Sequence, residues 1–471
     1  MMSSNNNIKI HEHFKVVPPS SSQTTTISLT YFDIFWLRFH PVERVFFYTL
    51  PNSQSHPSFF FQKIVPNLKS SLSLTLQHFL PLAGKVVWPS DSSKPFIQFN
   101  PNDNDDAVSL LIAESDLDFN HVIENSPQEA SLSRSLIPYL ESTGSFASVI
   151  SIQITLFPKS GFSIGITTHH AVLDGKSSTM FIKAWAYLCN KMIKTEEESP
   201  TLLPELMPLF NREIIKDPNE LQAKFTENLN EMATKMFPNE KPNQRSLKIF
   251  AFEPKLDSLR ATFKLTREDL DKIKQRVLSK WEIMDTNESK PKPETLSSFI
   301  LTCAYSLVCI AKAIHEVEKE KEKFGFVFTV DCRGRLEPPI PKNYFGNCVW
   351  GIIIDTQPLD FIKEDGDFLV AKSMHEKIKM VNQNGFDKFT PMPNEGIEVI
   401  GLAGSNRFGV YEIDFGWGRP EKVEIVSIDR GLTIGLAESK DGNGGVEVGV
   451  VLKKDVMDLF RNLFLEGLGR N

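Results

Sequence analysis

The sequence predicts a mixed α/β protein. Short β-type apolar runs and longer amphipathic stretches follow one another along the whole chain. Apolar residues make up 41% and charged residues 24%, a balance that lets an ordinary globular chain bury a large core. At 471 residues, two or more domains are favoured over one.

Residues 1–26 are polar and rich in Asn, Ser and Thr, with one short strand expected near Ile8 to Val17. A helix is predicted from Phe59 to Phe79, because Ile64, Leu68, Leu72, Leu76 and Phe79 fall on one stripe. Pro81-Leu82-Ala83-Gly84 then turns the chain into a strand at Lys85 to Trp88, and another is expected at Phe96 to Phe99. Ser148 to Phe157 and Phe162 to Thr168 read as partners across the loop Pro158-Lys159-Ser160-Gly161. The second partner ends at His169 and His170. Gly175 follows, then a helix from Ser177 to Asn190 with Phe181, Ala184, Trp185 and Leu188 inward.

From Glu196 to Ser246 the chain is rich in Pro, Glu, Asn and Lys and poor in apolar clusters, as a crossover would be. Beyond it a strand at Ala261 to Leu265 leads to Thr266, an N-cap with Asp269 at the third helical position. The apolar helix Phe299 to Ile314 is shorter than a membrane span and carries Lys312, which makes it a core helix. Strands are expected at Phe324 to Val330, Val349 to Ile354, Arg407 to Asp414, Lys422 to Ser427, Leu432 to Glu438 and Gly445 to Lys453. The last element is a helix from Lys454 to Leu465.

The net charge is −7 with no sustained Lys/Arg stripe, which argues against a nucleic-acid surface or a polybasic membrane patch. The five cysteines show no CxxC or zinc-ligand spacing and fit a reduced, cytosolic chain. The N-terminus carries no apolar secretory core. His11-Glu12-His13 lacks a third ligand, so no metal site is expected. The 36 phenylalanines suit large cores or an apolar pocket.

His170-Ala171-Val172-Leu173-Asp174 sets an imidazole and a carboxylate four positions apart just after a strand. Imidazole is the usual base near neutral pH, and the carboxylate either holds its tautomer or anchors the loop on an arginine. Such a pair is common by chance. Asp414-Phe415-Gly416-Trp417-Gly418 is far more specific, with glycines that permit a tight path around the tryptophan.

With both strings intact, the sequence resembles the plant BAHD acyltransferases, whose signatures are HxxxD and then DFGWG. The likeness extends over the Leu29 to Tyr48 segment, the Leu80 to Gly84 turn, Val330-Asp331-Cys332-Arg333 and Tyr344-Phe345-Gly346-Asn347-Cys348. The last of these, with the run Ser405 to Pro420, resembles the branch acting on anthocyanins and phenolic glucosides, many of whose members use malonyl-CoA. The resemblance implies two similar chloramphenicol-acetyltransferase-like α/β domains with mixed sheets, residues 1–200 and 247–471. A crossover at 201–246 joins them, and the active-site channel runs between them.

The same resemblance makes His170 the general base in direct transfer of a malonyl group to a sugar hydroxyl of a phenolic or flavonoid glucoside. Asp174 and Gly175 match a structural turn, the aspartate pairing with an arginine. Asp414 matches either a second proton acceptor or a carboxylate fixing the loop of Trp417 and Gly418, and Trp417 either offers an indole N–H or packs. Lys272, Thr295, Ser297, Ser298, Ser405 and Asn406 are candidates to line the acyl-CoA site, with His40, Arg44 and Lys176 available to meet the malonyl carboxylate. No permanently bound cofactor is implied; malonyl-CoA is a co-substrate. The partners implied are small molecules alone, with a monomeric cytosolic enzyme. The alternatives are a hydroxycinnamoyl or acetyl donor, or a non-catalytic binding homologue.

Overall fold

The N-terminal strand forms as β1 (Ile8–Val16), followed by β2 (Thr25–Ser28) and β3 (Val42–Thr49). The structure, a computed structural model, describes residues 8–19, 23–92, 94–217, 219–236, 245–250, 257–284, 293–319, 323–355, 360–384 and 397–470. Parts of the polar N-terminal stretch, 1–7 and 20–22, therefore lie outside the described residues. The first long helix, expected over Phe59 to Phe79, runs unbroken from Pro57 to His78, and α1 (Val65–His78) is its regular part. Pro66 has no amide hydrogen to donate, and the turn before it, Phe60–Ile64, widens to π geometry. Leu68, Leu72 and Leu76 are fully buried, as their spacing requires.

Next come β4 (Lys85–Val87), β5 (Phe96–Phe99), β6 (Val108–Ser115) and the two-residue β7 (Gln128–Glu129). The strand expected over Ser148 to Phe157 is divided into β8 (Phe146–Ser148) and β9 (Ile150–Phe157). β10 (Gly161–Thr168) pairs with β9 along its whole length and is buried throughout. The helix after it, α2 (Gly175–Thr195), turns Phe181, Ala184, Trp185 and Leu188 inward.

Within 201–246 the long element is α3 (Leu221–Met236), and 237–244 lie outside the described residues. The chain continues through β11 (Ser258–Leu265), α4 (Arg267–Met284), α5 (Ser298–Val317), β12 (Phe324–Asp331) and β13 (Val349–Asp355). Thr266 and Asp269 form the reciprocal cap expected of them, with the Thr266 amide donating to Asp269 at 2.7 Å and the reverse bond at 3.2 Å. At 20 residues α5 is longer than expected, long and apolar enough to cross a membrane by those measures alone. Its surface is instead mostly buried against neighbouring elements, among them α4.

α6 (Gly366–Asn384) and β14 (Glu398–Ser405) come next; the sequence reading placed neither. The strand expected at Arg407 to Asp414 is absent. Gly409 takes a left-handed φ of 64°, and Val410–Glu412 closes a tight turn that no strand can accommodate. β15 (Lys422–Ile425), β16 (Thr433–Glu438), β17 (Val446–Lys453) and α7 (Lys454–Glu466) complete the chain.

These strands make a six-stranded sheet, β1-β6-β9-β10-β3-β15, and a seven-stranded sheet, β13-β12-β14-β16-β17-β11-β7. Both are mixed, since β6 lies parallel to β9 and β14 parallel to β12 and β16. A four-stranded antiparallel sheet, β2-β5-β4-β8, stands beside them. The two large sheets exchange strands: β15, from late in the chain, edges the first, and β7, from early in it, edges the second.

Buried charges accumulate at this exchange. Glu43 accepts two hydrogen bonds from Arg430, at 2.6 and 3.1 Å, and one from Arg134 at 3.3 Å. Arg134 also holds Asp429, and Arg260 donates to the carbonyls of Ile425 and Val426. Removing one partner from a buried ion pair leaves the other uncompensated. We therefore expect Glu43→Ala to cost about 3–5 kcal/mol, read as a steep fall in Tm. Loss of Glu268 from its exposed pair with Lys272 should leave the melting curve in place. Equal effects from the two substitutions would show that the exchange site anchors nothing.

Candidate active site

β10 carries His169 and His170 to the end of the first sheet. His169 is enclosed: its Nδ1 accepts from the Ala171 amide at 3.2 Å, and burial pushes its pKa down to about 4. His170 is half-buried. Its ring lies flat on Trp36, with 4.0 Å between centroids and 3° between planes, and Phe39 meets it edge-on at 6.3 Å. Nδ1 is sealed from solvent and Nε2 is not. Burial, opposed in part by the residue's own carbonyl, pushes the pKa down to about 3, so the ring is neutral with a nitrogen lone pair available.

Sequence reasoning missed Trp36 and Phe39. The aromatic density of Phe35-Trp36-Leu37-Arg38-Phe39 was the available signal. Phe39 also touches His40, at 5.3 Å, which brings that residue to the same wall. Burial lowers the pKa of His40, leaving a neutral hydrogen-bonding ring there.

Asp174 has a different task. One carboxylate oxygen caps α2 by accepting from the Ser177 amide at 2.9 Å. The other accepts from Arg333 Nη2 at 2.8 Å and from the Cys348 amide at 3.1 Å. Arg333, only 1% exposed, also reaches Asp331 at 2.9 Å and the carbonyls of Tyr344 and Gly346 at 3.2 and 3.0 Å. Arg212 also lies over the Tyr344 ring and donates to the Phe345 carbonyl at 2.5 Å. Gly346, at φ 155°, has no room for a side chain, because an added Cβ would meet the Arg212 guanidinium at 2.4 Å. Tyr344 to Cys348 is thus a buried brace behind the HxxxD turn.

The DFGWG loop stands elsewhere. Asp414 Oδ1 accepts from the amides of Gly416 and Gly418, at 2.7 and 3.0 Å, and the two glycines take φ of 111° and 102°. Phe415 is buried against Trp185 and Tyr48, and Trp417 meets Phe162 edge-on at 5.9 Å. Phe162 lies at the far end of β10 from His170, and eight residues of strand span about 26 Å. Neither Asp414 nor Trp417 therefore joins His170. The carboxylate fixes its own loop, and the indole packs.

The donor-side candidates divide. Lys176 is held by Asp331 at 2.9 Å, and Lys272 pairs with Glu268 on the exposed face of α4. Arg44 is buried on β3 opposite Ile166, with Nη1 on Thr179 Oγ1 at 3.2 Å, and burial pushes its pKa down to about 10. Thr295 is exposed, and Ser297 caps α5. Ser298 and Asn406 are bonded at 2.9 Å, and Ser405 takes the Arg407 amide at 3.2 Å. A Cβ on Gly175 would come within 2.9 Å of Phe408, so this loop lies against the first turn of α2. The N-termini of α2 and α5 thereby face one region with partial positive charge, favourable for an anionic donor. Two open clefts of ≈840 and ≈460 Å³ run beside α3 and Lys94, and His170 lines neither.

Asp174→Asn keeps the helix cap but leaves Arg333 short of a charge, and should cost about 3 kcal/mol in thermal melts. Asp414→Asn retains the acceptor for both glycine amides and should keep near-normal kcat, whereas Asp414→Ala should lose Tm. A steep loss of kcat in a fully folded Asp414→Asn protein would reinstate a catalytic role.

The pH dependence has a definite sign. In the unfolded chain both histidines take up protons below about 6.5, which the folded protein resists. The stability they contribute is whole above that pH and is lost as pH falls toward 4 for His169 and 3 for His170. Tm should fall between pH 7 and 5, less steeply in His169→Gln. Parallel Tm–pH curves would show that His169 has no part in it.

The chain matches the model of the Transferase family over residues 6–466. It is 40% identical to phenolic glucoside malonyltransferase 1 of Arabidopsis thaliana, over 98% of each chain. It is also 40% identical to the malonyl-CoA:anthocyanidin 5-O-glucoside-6''-O-malonyltransferase of Arabidopsis thaliana, over 99% of this chain and 100% of that one. The crystal structure of vinorine synthase superposes with a TM-score of 0.62 at 18% identity, covering 96% of each chain, and confirms the fold. The chain belongs to this transferase family, the BAHD acyltransferases.

Proposed function

We propose that the protein transfers a malonyl group from malonyl-CoA to a sugar hydroxyl of a phenolic or flavonoid glucoside. The observation that carries the chemistry is His170: neutral, braced from behind, and open at Nε2. In this reading Nε2 takes the proton of the acceptor hydroxyl as its oxygen attacks the thioester carbonyl. The tetrahedral oxyanion then collapses and the coenzyme A thiolate leaves. An acyl-enzyme is unnecessary, because the thioester is already activated and both substrates reach one imidazole.

The malonyl assignment draws on the names of the two relatives, which act on phenolic and anthocyanidin glucosides. Of the three groups considered for the malonyl carboxylate, Lys176 is paired with Asp331, Arg44 donates to Thr179 and His40 bonds the Pro41 carbonyl; His40 is proposed for its place beside Phe39 at the His170 wall. Ser298, Ser405 and Asn406, at the start of α5, are the proposed donor contacts. The aromatic wall of Trp36 and Phe39 supports a planar phenolic acceptor. It equally suits a planar hydroxycinnamoyl donor, the second reading. The five free, buried cysteines support a cytosolic enzyme, proposed to act as a monomer.

His170→Ala should fold normally and lose about a hundredfold or more in turnover. With one good phenolic glucoside acceptor, malonyl-CoA should give a higher kcat/KM than acetyl-CoA or p-coumaroyl-CoA. Equal or better efficiency with either of the others would overturn the donor assignment, and near-normal turnover of His170→Ala would overturn the base.

A further inference from the structure

For His170 to act as a base at Nε2, its single proton must sit on Nδ1. Free imidazole in water prefers the opposite tautomer, so the protein has to impose the useful one. Nδ1 is buried, with no hydrogen-bond partner in place among the described residues. Among the described residues the acceptor that acts on the ring is the carbonyl of His170 itself, which opposes the effect of burial. Where that carbonyl points therefore decides which tautomer the ring adopts.

The carbonyl is held from the other side. Asn347 Nδ2 donates to His170 O at 2.8 Å and, with its second hydrogen, to Asp33 Oδ1 at 3.1 Å. The Asn347 backbone amide donates to the same Asp33 oxygen at 3.1 Å. Turning the amide over would aim its oxygen at a carboxylate and a carbonyl, so the orientation is settled by the neighbours. Asp33 is in turn immobilised: its other oxygen accepts from the amide and hydroxyl of Thr30, both at 2.9 Å, and faces the Arg212 guanidinium at 3.6 Å. Asp33 and Asn347 are both wholly buried.

We infer that Asp33 and Asn347 form a positioning relay that fixes the His170 carbonyl, and through it the Nδ1–H tautomer that leaves Nε2 free to accept the acceptor's proton. A carbonyl oxygen has two lone pairs, and Asn347 occupies one while leaving the other to the ring. Asp33 keeps the amide in place, in the manner of a carboxylate that orients a base. The relay rests on His170 being the base, but its test does not depend on the identity of donor or acceptor.

The experiment is ¹⁵N NMR of the histidine rings in the full protein, with His170 assigned by its loss in His170→Gln. The wild type should show His170 as the Nδ1–H tautomer. Asn347→Ala should shift the ring toward Nε2–H and lower kcat about tenfold or more, with KM for the acyl-CoA little changed. Asp33→Asn keeps an acceptor for the Asn347 amide without its charge, and should show a smaller shift and a smaller loss. If Asn347→Ala does not fold, Asp33→Asn and the wild-type spectrum carry the test. An Nε2–H tautomer in the wild type, or an unchanged tautomer in a folded variant at either position, overturns the relay. Full turnover in His170→Gln would instead remove the base and leave the tautomer measurement standing.

Discussion

The geometry of the site depends on one buried guanidinium. Arg333 sits behind the turn that carries His170 and donates to Asp174, Asp331 and the carbonyls of Tyr344 and Gly346. A charge in that position is costly unless each donor is met, and here two carboxylates and two carbonyls meet them. Through Asp174 the same group fixes the first turn of α2, and through Gly346 it fixes the loop that leads into β13. The turn between β10 and α2 cannot relax without stripping a buried cation of its partners, so its backbone is rigid where the chemistry needs a fixed imidazole.

Rigidity alone does not make a base. Burial against Trp36 and Phe39 keeps His170 neutral across the physiological range, which readies it to accept a proton but weakens its hold on one. That compromise suits attack on a thioester, an acyl group already activated toward a hydroxyl. It would suit an unactivated amide or ester poorly. The charge that develops during transfer is anionic, on the oxyanion and then the thiolate. The N-termini of α2 and α5, turned toward the loop around Asn406, supply a partial positive potential there.

Much of this arrangement was legible in the sequence because it is local. β9, β10, α2 and the cap at Asp174 follow from period, turn residues and a capping aspartate, and the strand end where His170 stands follows from them. What escaped depends on contacts between distant positions. The partner of Asp174 lies in the turn just after β12, far along the chain, and no spacing identifies it. The six-stranded sheet closes with β15 from the opposite end of the sequence, and that register is fixed only by packing against β3. The DFGWG string misleads for a related reason. Its carboxylate and indole look reactive on the page, yet the five-residue string is spent on one turn, with Asp414 serving the amides of Gly416 and Gly418. The loop belongs to the packing of Phe415 and Trp417 at the far end of β10.

A consequence follows for how specificity is built. The string Tyr344 to Cys348 resembles the branch that uses malonyl donors, yet each of its polar contacts faces inward, to Arg333, Arg212, Ser177, Asp33, Asp174 or the His170 carbonyl. Such a segment is poorly placed to meet an acyl carboxylate, because most of its donors and acceptors are engaged inside the protein. It holds the turn that carries His170, whatever the donor. Discrimination between donors must come from side chains that are exposed at the same wall and not engaged in the brace. Trp36, Phe39 and His40 stand half-buried at that wall, on the segment after Asp33, so one stretch of chain both supports the His170 turn and borders its ring.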